Sequence, residues 1–168
     1  MKDRVVKKKI PKTGITDDMI IENMKYQKGF SGVYTSDLLP KKIGQFENGI
    51  INLDISTGPG THWVCYYNDP KFKYIEYFDP FGEYKYNNVK LKKDYIPKNI
   101  KAFLKKSNKK THIAHNDSFI QQPTSVKCGL FCMKYIIERN KGKSAKEVLA
   151  LFTDEPSDYN ENLVLNKC

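Results

Sequence analysis

Gln121-Gln122-Pro123-Thr124-Ser125-Val126-Lys127-Cys128 gathers residue types suited to acyl transfer: a thiol, and amide side chains just upstream of it. An apolar run, Leu130 to Ile137, follows and stops at Arg139-Asn140-Lys141-Gly142. The pattern predicts a loop feeding a buried helix, with Cys128 at or just before its first turn. Backbone N–H groups there lack intrahelical partners, and the helix dipole adds partial positive charge. A thiol so placed is biased toward thiolate, the nucleophilic form. Gln121 and Gln122 are both within reach as N–H donors to the oxygen that turns negative when a carbonyl is attacked. A lone cysteine is more commonly a small buried residue, so this reading needs support from elsewhere in the chain.

His62 and Asp79 supply it. His62 to Tyr67 and Tyr74 to Asp79 are rich in aromatic and β-branched residues, and Asn68-Asp69-Pro70 between them carries turn chemistry. The reading is a hairpin. A turn centred between Pro70 and Lys71 sets His62 directly opposite Asp79, both on one face. The carboxylate then accepts the imidazole N–H, fixes its tautomer and stabilises the imidazolium. A thiol, an imidazole, a carboxylate and an amide together form a complete acyl-transfer set.

Other elements must hold these groups. Thr16-Asp17-Asp18 reads as a helix start with Met19, Ile20 and Met24 on its apolar side. Phe30 to Pro40 reads as a turn-rich connector, and Phe46 to Ile55 contains a strand. Lys85 to Lys93 reads as loop, and Pro97 opens a helix with Ile100, Phe103 and Leu104 as its stripe. Short strands are expected over Thr111 to Ala114 and Ser118 to Gln121. Ser144 to Glu147 is a capping-box pattern. The expected fold class is α+β, a small mixed sheet packed against a central helix that carries the cysteine at its N-terminus. One domain over 1–168 is expected, with a basic arm at 1–12 and a loosely held tail at 154–168.

At 168 residues with 39% hydrophobic content, the chain can bury a core. It carries no apolar run of membrane-spanning length and no secretory-type N-terminus, so an intracellular setting and no membrane partner are expected. Four scattered cysteines fit free thiols better than a disulfide framework. The net charge of +10 is concentrated: six of the first twelve residues are Lys or Arg, and ten lysines but one acid lie between Lys85 and Lys110. Such an excess suits a polyanion, nucleic acid more than membrane, or equally a solvated lysine-rich face. Cys128 and Cys132 with His112 and His115 could be read as a zinc set, but the spacing is not that of common zinc sites, and no metal is expected.

His62-Trp63, then Phe78-Asp79-Pro80-Phe81-Gly82, then Gln121-Gln122-Pro123 with Cys128-Gly129-Leu130-Phe131-Cys132, in that order, resemble the adenovirus maturation proteases. More broadly they resemble the cysteine peptidases that include the SUMO-specific proteases and the versions carried by virophages and Maverick/Polinton elements. The likeness spans roughly residues 60–138 and fades on either side; Gly32-Val33-Tyr34 with Asp37 and Pro40 is also similar to the leading segment of the mobile-element versions.

The resemblance implies a cysteine endopeptidase that cleaves viral capsid and core precursors during particle maturation. Cys128 would be the nucleophile, His62 the base and Asp79 the third member. Trp63 would pack beside the histidine, and Trp63 and Gly32 would contact substrate. The adenovirus spacing selects Gln121 as oxyanion donor and the SUMO-protease spacing selects Gln122; Gln121 is preferred. No cofactor is required for the chemistry, with DNA or a viral peptide as a candidate activator. The adenovirus peptide joins its enzyme through a disulfide, and no cysteine between Lys85 and Lys110 can receive one here. The protein is expected to be a monomer acting in the virion and the viral factory and not to be secreted. Two rivals remain: a deconjugating enzyme for ubiquitin-like modifiers, and a basic nucleic-acid-binding domain in which Cys128 is structural.

Overall fold

Strand segments that read as unbroken aromatic and aliphatic runs, Trp63–Asn68 and Ile75–Phe78, are buried almost throughout, which requires a sheet covered on both faces. The computed structural model describes residues 14–82, 85–86, 89–90, 95–107 and 112–165, and in it that requirement is met. Five strands line up as β1 (Phe30–Thr35), β2 (Glu47–Asn52), β3 (Trp63–Asn68), β4 (Ile75–Phe78) and β7 (Ile113–His115). The central pairs are antiparallel and the two outer pairs, β1 with β2 and β4 with β7, are parallel. A separate two-stranded ribbon joins β5 (Lys85–Tyr86) to β6 (Val89–Lys90).

Alternation along the central strands feeds two cores. Ile50, Cys65, Tyr67 and Phe78 meet α3 (Cys128–Asn140) through Phe131, Cys132, Tyr135 and Ile136. The same core takes in Ile20 and Met24 of α1 (Asp17–Met24), Val148 of α4 (Ala145–Leu149) and Val164 of α5 (Asp158–Leu165). On the opposite face Ile51, Val64, Tyr66, Ile75 and Tyr77 pack on Ile100, Phe103 and Leu104 of α2 (Lys98–Leu104). Thr16 caps α1, and Ser144 with Glu147 forms the expected capping box of α4. The mixed sheet with its central cysteine-tipped helix is thus the α+β arrangement that the sequence implies. No helix among the described residues is long and apolar enough to cross a membrane.

Several local expectations are corrected. Phe30 to Thr35 is not a connector but strand β1, pairing in parallel with β2. Lys85 to Lys93 contains the β5–β6 ribbon rather than loop alone. Ser118 to Gln121 is not a strand, because the N–H groups of Ile120 and Gln121 both turn to the Pro80 carbonyl, at 3.0 and 3.1 Å, instead of a ladder. The tail is not loose over 158–165: α5 buries Asn160, Glu161 and Val164. The hairpin register also differs. Cys65 opposes Phe78 and Tyr66 opposes Tyr77, a slip of two residues from the expected pairing. A slip of two preserves the face of every side chain, whereas a slip of one reverses it. The basic arm at 1–12, Cys168 and part of the lysine-rich stretch lie outside the described residues.

Candidate active site

His62 immediately precedes β3 and Asp79 immediately follows β4, so both sit at the open end of the hairpin. They are diagonal rather than directly opposite, and diagonal same-face neighbours remain within reach of long side chains. Nε2 of His62 lies 2.6 Å from Oδ1 of Asp79, with both residues buried. This contact makes Nε2 the donor and leaves Nδ1 as the other ring nitrogen, and Cys128 lines the same cleft as the imidazole. Phe81 stacks on the imidazole at 4.4 Å between ring centroids, and its N–H donates to the same Asp79 oxygen at 2.9 Å.

Asp79 is itself held in place. Its N–H donates to Oδ1 of Asn116 at 3.0 Å, and Nδ2 of Asn116 donates back to its carbonyl at 2.6 Å. Register explains this pairing: β7 runs parallel to β4 with His115 beside Tyr77, so Asn116 emerges next to the end of β4. Gly82 closes the turn at φ +56°, and a Cβ there would fall 2.3 Å from the Ser118 carbonyl oxygen. The motif Asp79-Pro80-Phe81-Gly82 therefore presents the carboxylate while clamping residues 116–121.

Burial is the largest influence on the His62 pKa and pulls it down. Hydrogen bonds to Asp79 and Cys128 and the charges of both outweigh that pull and raise it to about 9. The imidazolium is the favoured form at neutral pH.

Cys128 opens α3, whose N-cap residue, Lys127, makes no side-chain capping bond. The first-turn N–H groups are thus left free of a side-chain cap. Gly129 lets the helix tip approach its neighbours closely: a Cβ there would lie 2.2 Å from Cγ2 of Ile15 and 3.1 Å from Cδ1 of Trp63. Nε1 of Trp63 donates to the Ile15 carbonyl at 3.1 Å, tying the segment before α1 to the helix tip. One turn on, Cys132 is fully buried, donates to the Trp63 carbonyl at 3.4 Å, and has its thiol pKa pushed up by burial. It is a core residue.

The two glutamines separate. Gln121 is fully buried, with its N–H on the Pro80 carbonyl and its Nε2 on the Ser125 carbonyl at 2.8 Å. Its Oε1 has no hydrogen-bond partner among the described residues. Gln122 instead turns toward α5, its Nε2 donating to Asp158 at 3.0 Å and its N–H to Glu161 at 2.8 Å. A cleft of about 540 Å3 runs past His62 and Cys128. Trp63, Phe81 and Ser125 line it, as do Ile15 to Asp17, Val33 to Thr35 and Gly58 to Thr61. Gly32 does not line it; the adjacent β1 residues do. Sequence reasoning missed Asn116, Glu161 and the ring-on-ring role of Phe81. Phe81 was visible within a motif, but the partnerships of the other two depend on strand order and on a helix far along the chain.

A family model described as adenovirus endoprotease matches residues 26–147, well over half of the chain. Among solved structures, the ASFV pS273R protease is similar with a TM-score of 0.57 at 15% identity, over 92% of this chain and 67% of that one. Its selenomethionine form matches with a TM-score of 0.49 at 18% identity, over 76% of this chain and 46% of that one. The chain thus spans 46% to 67% of the length of those chains. At such identity the first likeness speaks for a shared fold alone.

Proposed function

Because the chain belongs to the adenovirus endoprotease family, a family of cysteine proteases, we propose that it is an endopeptidase working through Cys128, His62 and Asp79. The observation that carries this reading is that Asp79 holds Nε2 of His62 at 2.6 Å while His62 and Cys128, at the tip of α3, line one cleft. His62, by taking up the thiol proton, is the imidazolium of the resting pair, and the Cys128 thiolate attacks the substrate carbonyl carbon. The tetrahedral oxyanion is held by the Cys128 N–H and by the Gln121 amide, whose NH2 keeps a second N–H beyond the one given to Ser125. Collapse breaks the C–N bond as the imidazolium protonates the leaving amine. Water, deprotonated by His62, then hydrolyses the thioester and restores the thiol.

Gln121 is the oxyanion donor in this account because Gln122 is already committed to Asp158 and Glu161. Trp63 lines the cleft and is the substrate-contacting residue of the two expected from sequence; the role given to Gly32 passes to its neighbours Val33 to Thr35. The substrates on this reading are capsid and core precursor proteins of a virus, cut during particle maturation, and the net charge of +10 supports DNA as a partner there.

The test is incubation of the protein, beside Cys128→Ala, with a proteome-derived peptide library, and identification of new N-termini by mass spectrometry. Internal cleavages at a shared sequence motif are expected from the wild type alone. Equal cleavage by both proteins, or none by either, would refute the reading. Cutting confined to the C-terminus of a ubiquitin-like modifier would replace it with a deconjugating one.

A further inference from the structure

Resting on the protease reading, we infer that Glu161 is a positioning residue for the oxyanion-forming loop, a buried carboxylate that sets where the Gln121 amide points. Glu161 lies on α5, beyond residue 147 where the family match ends, and is 4% exposed. Its carboxylate accepts the Gln122 N–H at 2.8 Å and the Ser125 hydroxyl at 2.8 Å, and stands 3.6 Å from Nζ of Lys127. All three partners belong to the loop between Gln121 and the tip of α3.

The contacts form a chain of control. Ser125 Oγ, held by Glu161, accepts the Lys127 N–H at 3.2 Å, which fixes the residue just before the nucleophile. The Ser125 carbonyl accepts Nε2 of Gln121 at 2.8 Å. The preceding residue of α5 completes the grip: Nδ2 of Asn160 donates to the Ile120 carbonyl at 3.1 Å. Two successive α5 side chains therefore hold the residues on either side of Gln121, while Gln121 itself is held at Pro80. A loop of this kind, left without Glu161, has two donors facing a buried void. It would let the amide drift, and misplacement of about 1 Å costs roughly 100-fold in rate.

The experiment compares Glu161→Ala, Glu161→Gln and Gln121→Ala, singly and combined, on one fluorogenic peptide chosen from the cleavage motif. Glu161→Ala is expected to lower kcat roughly 100-fold with KM changed less than about threefold, and Glu161→Gln, which keeps an acceptor, to recover part of the loss. In a Gln121→Ala background the same change should cost less than about threefold more, since its effect passes through the missing amide. Alkylation of Cys128 by iodoacetamide creates no oxyanion, so its rate should stay within about threefold of wild type. Multiplicative losses, a parallel fall in alkylation, or an unchanged kcat would overturn the inference. Asp158→Ala removes only the exposed bond to Gln122; if it lowers kcat as much, general helix packing is responsible instead. Where Glu161→Ala fails to fold, Ser125→Ala takes its place, with at least a tenfold fall in kcat required. Failure of the underlying reading would look different: Cys128→Ala would then still hydrolyse the peptide.

Discussion

The β3–β4 hairpin and α3 meet twice, once at each end, and each meeting buries charge. At the open end stand Cys128, His62 and Asp79. At the turn end Arg139 donates from Nε and Nη2 to the two oxygens of Glu76, both at 2.9 Å, and from Nη1 to the Lys143 carbonyl at 2.7 Å. Nη2 also reaches Asp69 at 3.4 Å, Tyr135 donates to Glu76 at 2.5 Å, and the guanidinium lies 4.4 Å over the Tyr67 ring. Glu76 thus accepts from three side-chain donors, and no residue of this cluster lines the cleft. At the open end His62 and Cys128 line the cleft, and Asp79 stands behind the imidazole. The same helix and hairpin therefore carry one closed ionic cluster, which pins the two elements together, and one open relay left free to move a proton. Saturation of partners, more than burial, separates them.

The comparison breaks if the two ends do not separate activity from stability. The largest effect expected is from Cys128→Ala, which should remove at least roughly 10,000-fold of peptidase activity while leaving the melting temperature nearly unchanged. Arg139→Ala should do the reverse. Leaving Glu76 buried without its cation costs about 3–5 kcal/mol, read as a fall of about 10 °C in Tm, with kcat of the folded fraction at low temperature within a few-fold of wild type. Asp79→Asn should lower kcat/KM about 100-fold with little loss of Tm, since the amide still fits between His62 and the Phe81 N–H.

That variant also sharpens the account through pH. On the proposed mechanism the active pair needs His62 protonated, and its pKa of about 9 should set the alkaline limb of kcat/KM: activity is expected to hold below that value and to fall as pH rises through it. Asp79 is among the groups raising this pKa, so the limb should move to lower pH in Asp79→Asn. The smallest effect is expected from Tyr135→Phe, which takes one hydroxyl from Glu76 and should cost about 1–2 kcal/mol in urea denaturation with no change in kcat.

The open end was legible in the sequence and the closed end was not, for a physical reason. Cys128, His62 and Asp79 are scarce residue types standing next to turn and helix-start signals, so their chemistry and local setting could be read together. Even there the exact pairing differs: the turn lies one residue later than the sequence suggests, and the two-residue slip does no harm because it keeps His62 and Asp79 on one face. Arg139 carried only the signal of a helix end, and Glu76 that of a polar residue in a strand. Their pairing joins positions more than sixty residues apart and needs the helix laid along the hairpin before it can be seen. Strand β1 is hidden in the sequence for a similar reason, because Gly32 and the polar residues around it suggest a turn while β2 supplies a parallel partner. The grip of α5 on the loop before Cys128 likewise exists only once the tail has folded back.

The most direct test of the open relay is titration of the protein with iodoacetamide, following residual hydrolysis of one peptide and the modification of each cysteine by mass spectrometry. Activity should fall in proportion to modification of Cys128, with the buried Cys65 and Cys132 untouched. Full activity remaining after Cys128 is completely alkylated would contradict the account.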